Sequence, residues 1–231
     1  ADAKFGDADK KRFEGELRFF RGMLYFELQK RYGQAILYTA DLLQINTNKA
    51  LSSEADCWKF VYDDLKFAAE NLPKNTSATG RLTSGAAWAM MSRAMLYAKN
   101  WAAVKEAGDA IFQMGYKLAD TYPEAFLSGN SEAIFQYTYD AASSITHSFD
   151  SYYAPGGDHT LAGLTSNTGG YGTPTQDMVE EYELAAGGKA NWNPWHIPTG
   201  TTTAPPYDQL EPRFKATILY NGAAWRNRTI E

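Results

Sequence analysis

A single cysteine, Cys57, occurs in 231 residues, which excludes an internal disulfide framework and any metal site built from several thiolates. Apolar runs of the roughly 20 residues that a membrane-spanning helix needs are absent as well. Proline is scarce in the first half: of nine prolines only Pro73 precedes residue 118. Basic side chains thin out in the other direction. Residues 1–118 carry 17 basic and 14 acidic groups, a net of +3, and the remainder carries 5 and 13, a net of −8. A duplex nucleic-acid binder concentrates positive charge on one face, so nucleic acid is not an expected partner. From Ala1 onward the chain lacks the basic, apolar and small-residue segments of a signal peptide, and it closes on the polar run Arg226–Glu231. The expectation is a processed or truncated chain.

What the first half does have is helical periodicity. Phe13, Leu17, Phe20, Leu24 and Leu28 step by 4, 3, 4 and 4, which places five apolar side chains on one stripe and predicts that this stripe faces the core. Lys30, Arg31 and Gly33 suit a C-terminal turn. Ser53 and Asp56 form a capping signal for a second helix with Trp58, Val61, Leu65, Ala69 and Leu72 on its stripe, closed by Pro73. Thr83 is the expected cap of a third helix through Trp88, Met91 and Met95. Val104, Ala107, Ile111 and Met114 mark a fourth only a few residues later, so the two should be antiparallel. Trp58, Trp88 and Trp101 are assigned to the core. With Ala94, Ala98 and Tyr97 at the turn, the pair resembles one degenerate tetratricopeptide repeat, without a strict period along the chain.

The second half is read as loop-rich. Gly156-Gly157, Gly169-Gly170 and Gly187-Gly188 all lie there. Ala133–Tyr139 has the β-branched and aromatic content of a strand, and Thr175 can cap a short helix through Met178, Val179 and Tyr182. The remaining connections are long and rich in aromatics, which argues for function over disorder.

The run Gly15-Glu-Leu-Arg-Phe-Phe-Arg-Gly22 and its continuation to Gly33 resemble the signature helix of the SusD/RagB family of surface glycan-binding lipoproteins of Bacteroidota. Val61–Lys66, Ala68–Pro73, Gly80–Ala87, Arg93–Tyr97, Ser131–Phe135, Pro174–Val179 and Pro212–Phe214 are similar to family blocks in the same order. Glu211 departs from the aspartate usual before Pro-Arg. The resemblance implies a mainly α fold: tetratricopeptide-like helix pairs as scaffold in residues 1–118, and a loop-rich, minor-β ligand-binding region of the same SusD-like domain in residues 119–231, with roughly half of a typical member present. It implies further a cell-surface position in the outer membrane, oligosaccharide or polysaccharide delivered to a SusC-like TonB-dependent transporter, attachment through an N-terminal lipid anchor absent from this chain, and binding without cleavage. No cofactor and no metal are expected.

A non-catalytic glycan site needs flat aromatic surfaces for the C–H faces of sugar rings beside side chains that bond hydroxyls. Asn191, Trp192, Asn193, Trp195 and His196 supply both within six residues, with Pro194 and Pro198 stiffening the loop. Tyr207, after Pro205-Pro206, is the next platform, and Tyr152, Tyr153 and Tyr171 are further candidates. The alternative is that Trp192 and Trp195 plug a long loop onto the helices. Enzymatic patterns are missing: His147, His159 and His196 lack metal-ligand spacing, there is no Gly-x-Ser-x-Gly elbow, and Glu180, Glu181 and Glu183 read as a solvated helix face. The chain is therefore expected not to be an enzyme. A tetratricopeptide-like adaptor that binds protein partners and no glycan is the competing reading.

Overall fold

Four helices follow one another through the periodic half: α1 (Asp7–Tyr32), α2 (Glu54–Asn71), α3 (Ser84–Tyr97) and α4 (Trp101–Phe112). The later half holds the short helices α5 (Phe149–Tyr153), α6 (Gln176–Glu180), α7 (Asn193–His196) and α8 (Pro212–Thr217), 3-10 turns at Tyr122–Phe126 and Tyr207–Gln209, and the two-residue strands β1 (Ala224–Trp225) and β2 (Arg228–Thr229). The computed structural model describes residues 4–39, 49–76, 80–140, 142–155, 170–196, 205–225 and 228–230. His159 and Pro198 lie outside them. The chain divides into two compact units, Ala1–Ala119 with Ser128–Thr138, and Asp120–Leu127 with Tyr139–Glu231. The fold is mainly α.

In the first unit the caps at Ser53 and Thr83 form as the sequence predicts, and Asn100 adds a third. The Ser53 hydroxyl accepts from the Asp56 N–H at 3.1 Å, Thr83 Oγ1 from Ala86 at 3.3 Å and Asn100 Oδ1 from Ala103 at 3.2 Å. Each satisfies one of the N–H groups that a helix start leaves unpaired. Gly33 ends α1 at φ 73°, a left-handed conformation open to glycine, and its N–H returns to the Gln29 carbonyl at 2.9 Å. Successive helices pack on one another around Phe19, Phe26, Val61, Leu65, Ala68, Met91, Ala94, Met95 and Ala107. Each large apolar side chain in that core contributes about 1.5–3 kcal/mol relative to exposure.

The face of α1 that enters the core is not the predicted one. Gly15, Phe19, Gly22, Phe26 and Gln29 are buried, whereas Leu17 is 71% exposed, Leu24 is 59% exposed, and Phe20 and Leu28 are also exposed. The helix carries two stripes of the same period on opposite sides, so periodicity alone does not choose between them. Close approach of the helices chooses. A Cβ on Gly22 would stand 2.9 Å from Leu65 Cγ and one on Gly15 would stand 3.3 Å from Leu72, so glycines admit α2 where a larger residue would hold it off. Beside this crossing Arg21 donates to both carboxylate oxygens of the buried Asp64, at 2.7 and 2.8 Å, and Arg18 lies 3.8 Å from the same group. The two guanidinium groups also cover the rings of Phe60 and Phe67 at 4.7 and 4.1 Å.

Two more expectations are corrected. Trp101 is 64% exposed, because α4 buries its Ala103 and Ala107 side and Trp101 opens the helix on the other. Ala133–Tyr139 joins no ladder among the described residues; Phe135 sets its ring against Phe19 at 5.4 Å instead, so packing and not strand pairing accounts for its aromatic content. Among the described residues the strands that do form are β1 and β2, antiparallel with Ala224 opposite Thr229.

Candidate functional site

In the second unit a small core gathers Val179, Trp192, Leu210, Phe214 and Ile218, with Tyr182, Leu184, Ala190, Tyr207 and Tyr220 partly buried around it. Local backbone chemistry builds the framework. Thr175 caps α6 by accepting from Met178 at 3.3 Å. A tight turn at Gly187 and Gly188, with φ of 91° and 81°, folds the chain so that Leu184 N–H meets the Gly188 carbonyl at 2.8 Å. Ala185 N–H then bonds the Gln209 carbonyl at 2.8 Å and Glu211 N–H the Glu183 carbonyl at 2.9 Å, which ties this turn to the 3-10 turn of Tyr207–Gln209. Pro205 and Pro206 lead into that turn with restricted φ, and Pro212 begins α8 at a position where no N–H is required.

Asn191 starts the aromatic segment. Its Oδ1 accepts from the Asn193 N–H at 3.2 Å, and the Trp192 carbonyl receives the N–H groups of Trp195 and His196 at 3.0 and 3.1 Å. This single turn sends the two indoles to different places. Trp192 is 6% exposed, inside the core, 6.1 Å from Tyr207 and 6.2 Å from Trp195 between ring centres. Its faces are covered, so the expectation that it is an open stacking platform is corrected: as placed, it supports the rings above it. Its Nε1–H is buried and has no hydrogen-bond acceptor among the described residues. Trp195 is 39% exposed and lines a cavity of about 650 Å³ together with Asn191, Pro194, Pro205, Pro206 and Gln209. That volume falls in the range of small-ligand sites. Tyr207 lies beneath, its ring stacked on Phe214 at 5.2 Å and 20°, and burial with the nearby Tyr220 raises its phenol pKa above the ordinary value.

Charges at the cavity are matched locally. Lys189 donates to the carboxylate and the carbonyl of Glu181, both at 2.8 Å, and Asp208 accepts from Lys215 at 2.7 Å. The bond from Lys189 holds the Glu181 carboxyl below the usual carboxylate range, and Asp208 raises the Lys215 pKa. His196 turns to Glu180, which also accepts from Gln176 at 3.1 Å. Thus Asn191 and Trp195 reach the cavity, Trp192 and Tyr207 underpin it, and His196 is engaged beside it. Asn193 is exposed on α7 and does not line the cavity. Tyr152, Tyr153 and Tyr171 form a separate cluster. Lys189, Asp208 and Gln209 were missed by sequence reasoning; the Pro205-Pro206 pair that precedes Asp208 and Gln209 was the signal that could have found the last two.

Helical hairpins in one unit and an aromatic-walled cavity among loops in another define the class: a helix-pair protein with a cavity carried on turns. Residues 131–230 match the model of the SusD family. A SusD-like protein of Bacteroides ovatus is 30% identical over 96 residues, 41% of this chain and 17% of that protein. Among solved structures, a SusD-like protein from Bacteroides fragilis aligns with a TM-score of 0.75 and 29% identity over 95% of this chain and 45% of its own. A SusD-like carbohydrate binding protein from the same species gives 0.77 and 24% over 99% and 44%, and a laminarin binding SusD-like protein gives 0.60 and 23% over 68% and 39%; at these identities they show the fold alone. The chain spans less than half the length of these solved structures. Residues 131–230 are thus similar to the SusD family, and the mainly α, tetratricopeptide-like architecture of the chain is the SusD-like one.

Proposed function

We propose that the chain holds oligosaccharide or polysaccharide at the cell surface without cleaving it, and that the first unit is the scaffold and the second the ligand-binding region. The observation that carries this reading is the half-open Trp195 ring on a cavity walled by proline rings, the amides of Asn191 and Gln209, the apolar Leu184 and Ala190, and the paired charges Lys189 and Asp208. An indole face accepts the C–H face of a pyranose, while Asn191 and Gln209 donate to and accept from its hydroxyls. Because Lys189 and Asp208 are already paired with Glu181 and Lys215, the cavity offers no uncompensated charge to an acidic sugar, and a neutral glycan fits best. The names of the carbohydrate binding and laminarin binding proteins of the same fold agree with this choice of ligand class.

In this reading the bound glycan passes to a SusC-like TonB-dependent transporter, and the protein is held at the outer membrane by an N-terminal lipid. Affinity is expected to be on the order of micromolar to millimolar, since ring contacts worth about 0.5–1.5 kcal/mol each must offset the cost of association. Native gels cast with laminarin, xyloglucan, starch, xylan and polygalacturonate test the reading. Retardation by at least one neutral polysaccharide, abolished in folded Trp195→Ala, supports it. Free migration in all of them would overturn it and favour a protein-binding adaptor.

A further inference from the structure

We propose that the outer face of α4 pairs with the same face of a second copy of this chain, in an antiparallel dimer. Trp101, Lys105, Gly108 and Phe112 follow at intervals of 4, 3 and 4, so they share one face of the helix, while Ala103 and Ala107 occupy the buried side. Trp101 is 64% and Phe112 is 85% exposed, two large rings left mostly to solvent one at each end of the helix. Gly108 lies between them. A glycine inside a helix costs stability relative to alanine, so its presence calls for a reason. In α1 the reason for Gly15 and Gly22 is the approach of α2, whereas a Cβ on Gly108 would meet no heavy atom within 4 Å among the described residues. A helix that crosses α4 at Gly108 from outside uses the same device.

The pattern of this face complements itself when two copies run in opposite directions. With the two-fold axis near Ala107 and Gly108, Trp101 comes opposite the partner's Phe112, and Phe112 opposite the partner's Trp101. Val104 and Ile111, partly buried at the edge of the core, are exchanged in the same way. Lys105 and Asp109, 2.5 Å apart in one helix and both more than half exposed, meet the partner's Asp109 and the partner's Lys105. Such reciprocity is what a two-fold interface requires. Opposite charges one turn apart leave the face neutral as a whole, which suits a copy of itself better than an anionic surface. Glu106 does not disturb this balance, because Lys66 and Tyr62 of α2 hold its carboxylate at 2.6 and 3.1 Å. The 12 residues of α4 make about 18 Å of helix. One such crossing buries less than the roughly 1,200 Å² of a stable interface, so the dimer is weak, with a dissociation constant on the order of 100 μM. A dimer offers two Trp195 cavities to one polymer, a consequence that rests on the glycan reading above, although the pairing itself does not.

Sedimentation velocity of the chain between about 10 μM and about 1 mM is expected to show a reversible monomer–dimer equilibrium, and a monomer throughout overturns the proposal. Phe112→Asp is expected to abolish the dimer while circular dichroism shows the fold intact; Phe112→Ser serves in its place if that variant unfolds. Lys105→Glu and Asp109→Lys should each raise the dissociation constant about tenfold, because each sets like charges opposite one another. An equimolar mixture of these two variants should associate at least as well as wild type, since each then supplies the charge that the other lacks. In proton–nitrogen spectra the Trp101 indole signal should move with protein concentration and that of the buried Trp88 should not. A dimer that persists in Phe112→Asp, a mixture that associates no better than its parts, or a Trp101 signal that stays fixed while the dimer forms would each overturn pairing through α4. These readouts involve no glycan, so their failure leaves the Trp195 cavity untouched.

Discussion

Gly22→Ala and Gly108→Ala are the same chemical change in two helix interiors, and they are expected to move stability in opposite directions. In both, alanine gains about 0.8–1 kcal/mol of helix propensity over glycine. At Gly108 a new Cβ meets no heavy atom within 4 Å, so the gain survives and the variant is more stable by about 0.5–1 kcal/mol. At Gly22 the Cβ falls 2.9 Å from Leu65 Cγ, 3.1 Å from its Cδ2 and 3.3 Å from Asp64 Cβ. Leu65 is fully buried and Asp64 is fixed by Arg21, so neither side chain has room to yield. Overpacking of this kind costs about 1–3 kcal/mol, and a shifted Asp64 weakens its ion pair as well. The net expectation is a loss of about 1–2 kcal/mol. Gly15, whose Cβ would touch the methyl end of Leu72 at 3.3 Å, falls between the two. Urea unfolding followed by far-ultraviolet circular dichroism reads mainly the long helices of the first unit and gives the differences at a common slope. Equal stabilisation by Gly22→Ala and Gly108→Ala would refute the claim that glycine sets the α1–α2 distance.

Other outcomes follow from the same contacts. Arg21→Ala should cost about 3–5 kcal/mol because it strips a buried carboxylate of its bidentate partner, and Arg21→Ala/Asp64→Ala should cost less than the sum of the singles; additive losses in the double-mutant cycle would contradict the pairing. Trp192→Phe removes an indole N–H that has no acceptor among the described residues and should be tolerated far better than Trp192→Ala, which loses about 3–5 kcal/mol; thermal melts that rank them equally would count against Trp192 as a core residue. Lys189→Ala should return the Glu181 carboxyl upward to its ordinary pKa. In the wild type this depressed group contributes stability above the unfolded pKa and loses it as pH falls through the folded one, by a small amount because the pair is solvent-exposed. Carboxyl chemical shifts that titrate identically in both proteins would exclude the Lys189 contact.

Caps and helix spans in the first unit were legible because they depend on neighbours in sequence: Ser53 and Thr83 act within three residues of themselves. The buried face of α1 was not legible, since Phe20 and Leu24 satisfy the helical period as well as Phe19 and Phe26, and the choice is made by Gly15 and Gly22 meeting Leu72 and Leu65 far along the chain. Ala133–Tyr139 was read as a strand from composition, yet a strand needs a partner to supply its hydrogen bonds. The tryptophan pair shows the same limit within the site. Residue type marked Trp192 and Trp195 alike as platforms, and only the single turn of α7 sends one into the core and leaves the other at the cavity. Asp208 and Gln209 come to that cavity through the hydrogen bonds between Ala185, Glu183 and their partners across the chain, a pairing that no local motif announces.

The central claim is that an open Trp195 face receives a neutral sugar ring. Indole Nε1–H signals in proton–nitrogen correlation spectra separate the six tryptophans of the chain, and each is assigned by substitution. Titration with the neutral oligosaccharide of the polysaccharide held in native gels is expected to shift the Trp195 signal in proportion to saturation, to move Trp192 less, and to leave the buried Trp88 unchanged. A Trp195 signal that stays fixed at saturating oligosaccharide would contradict the account.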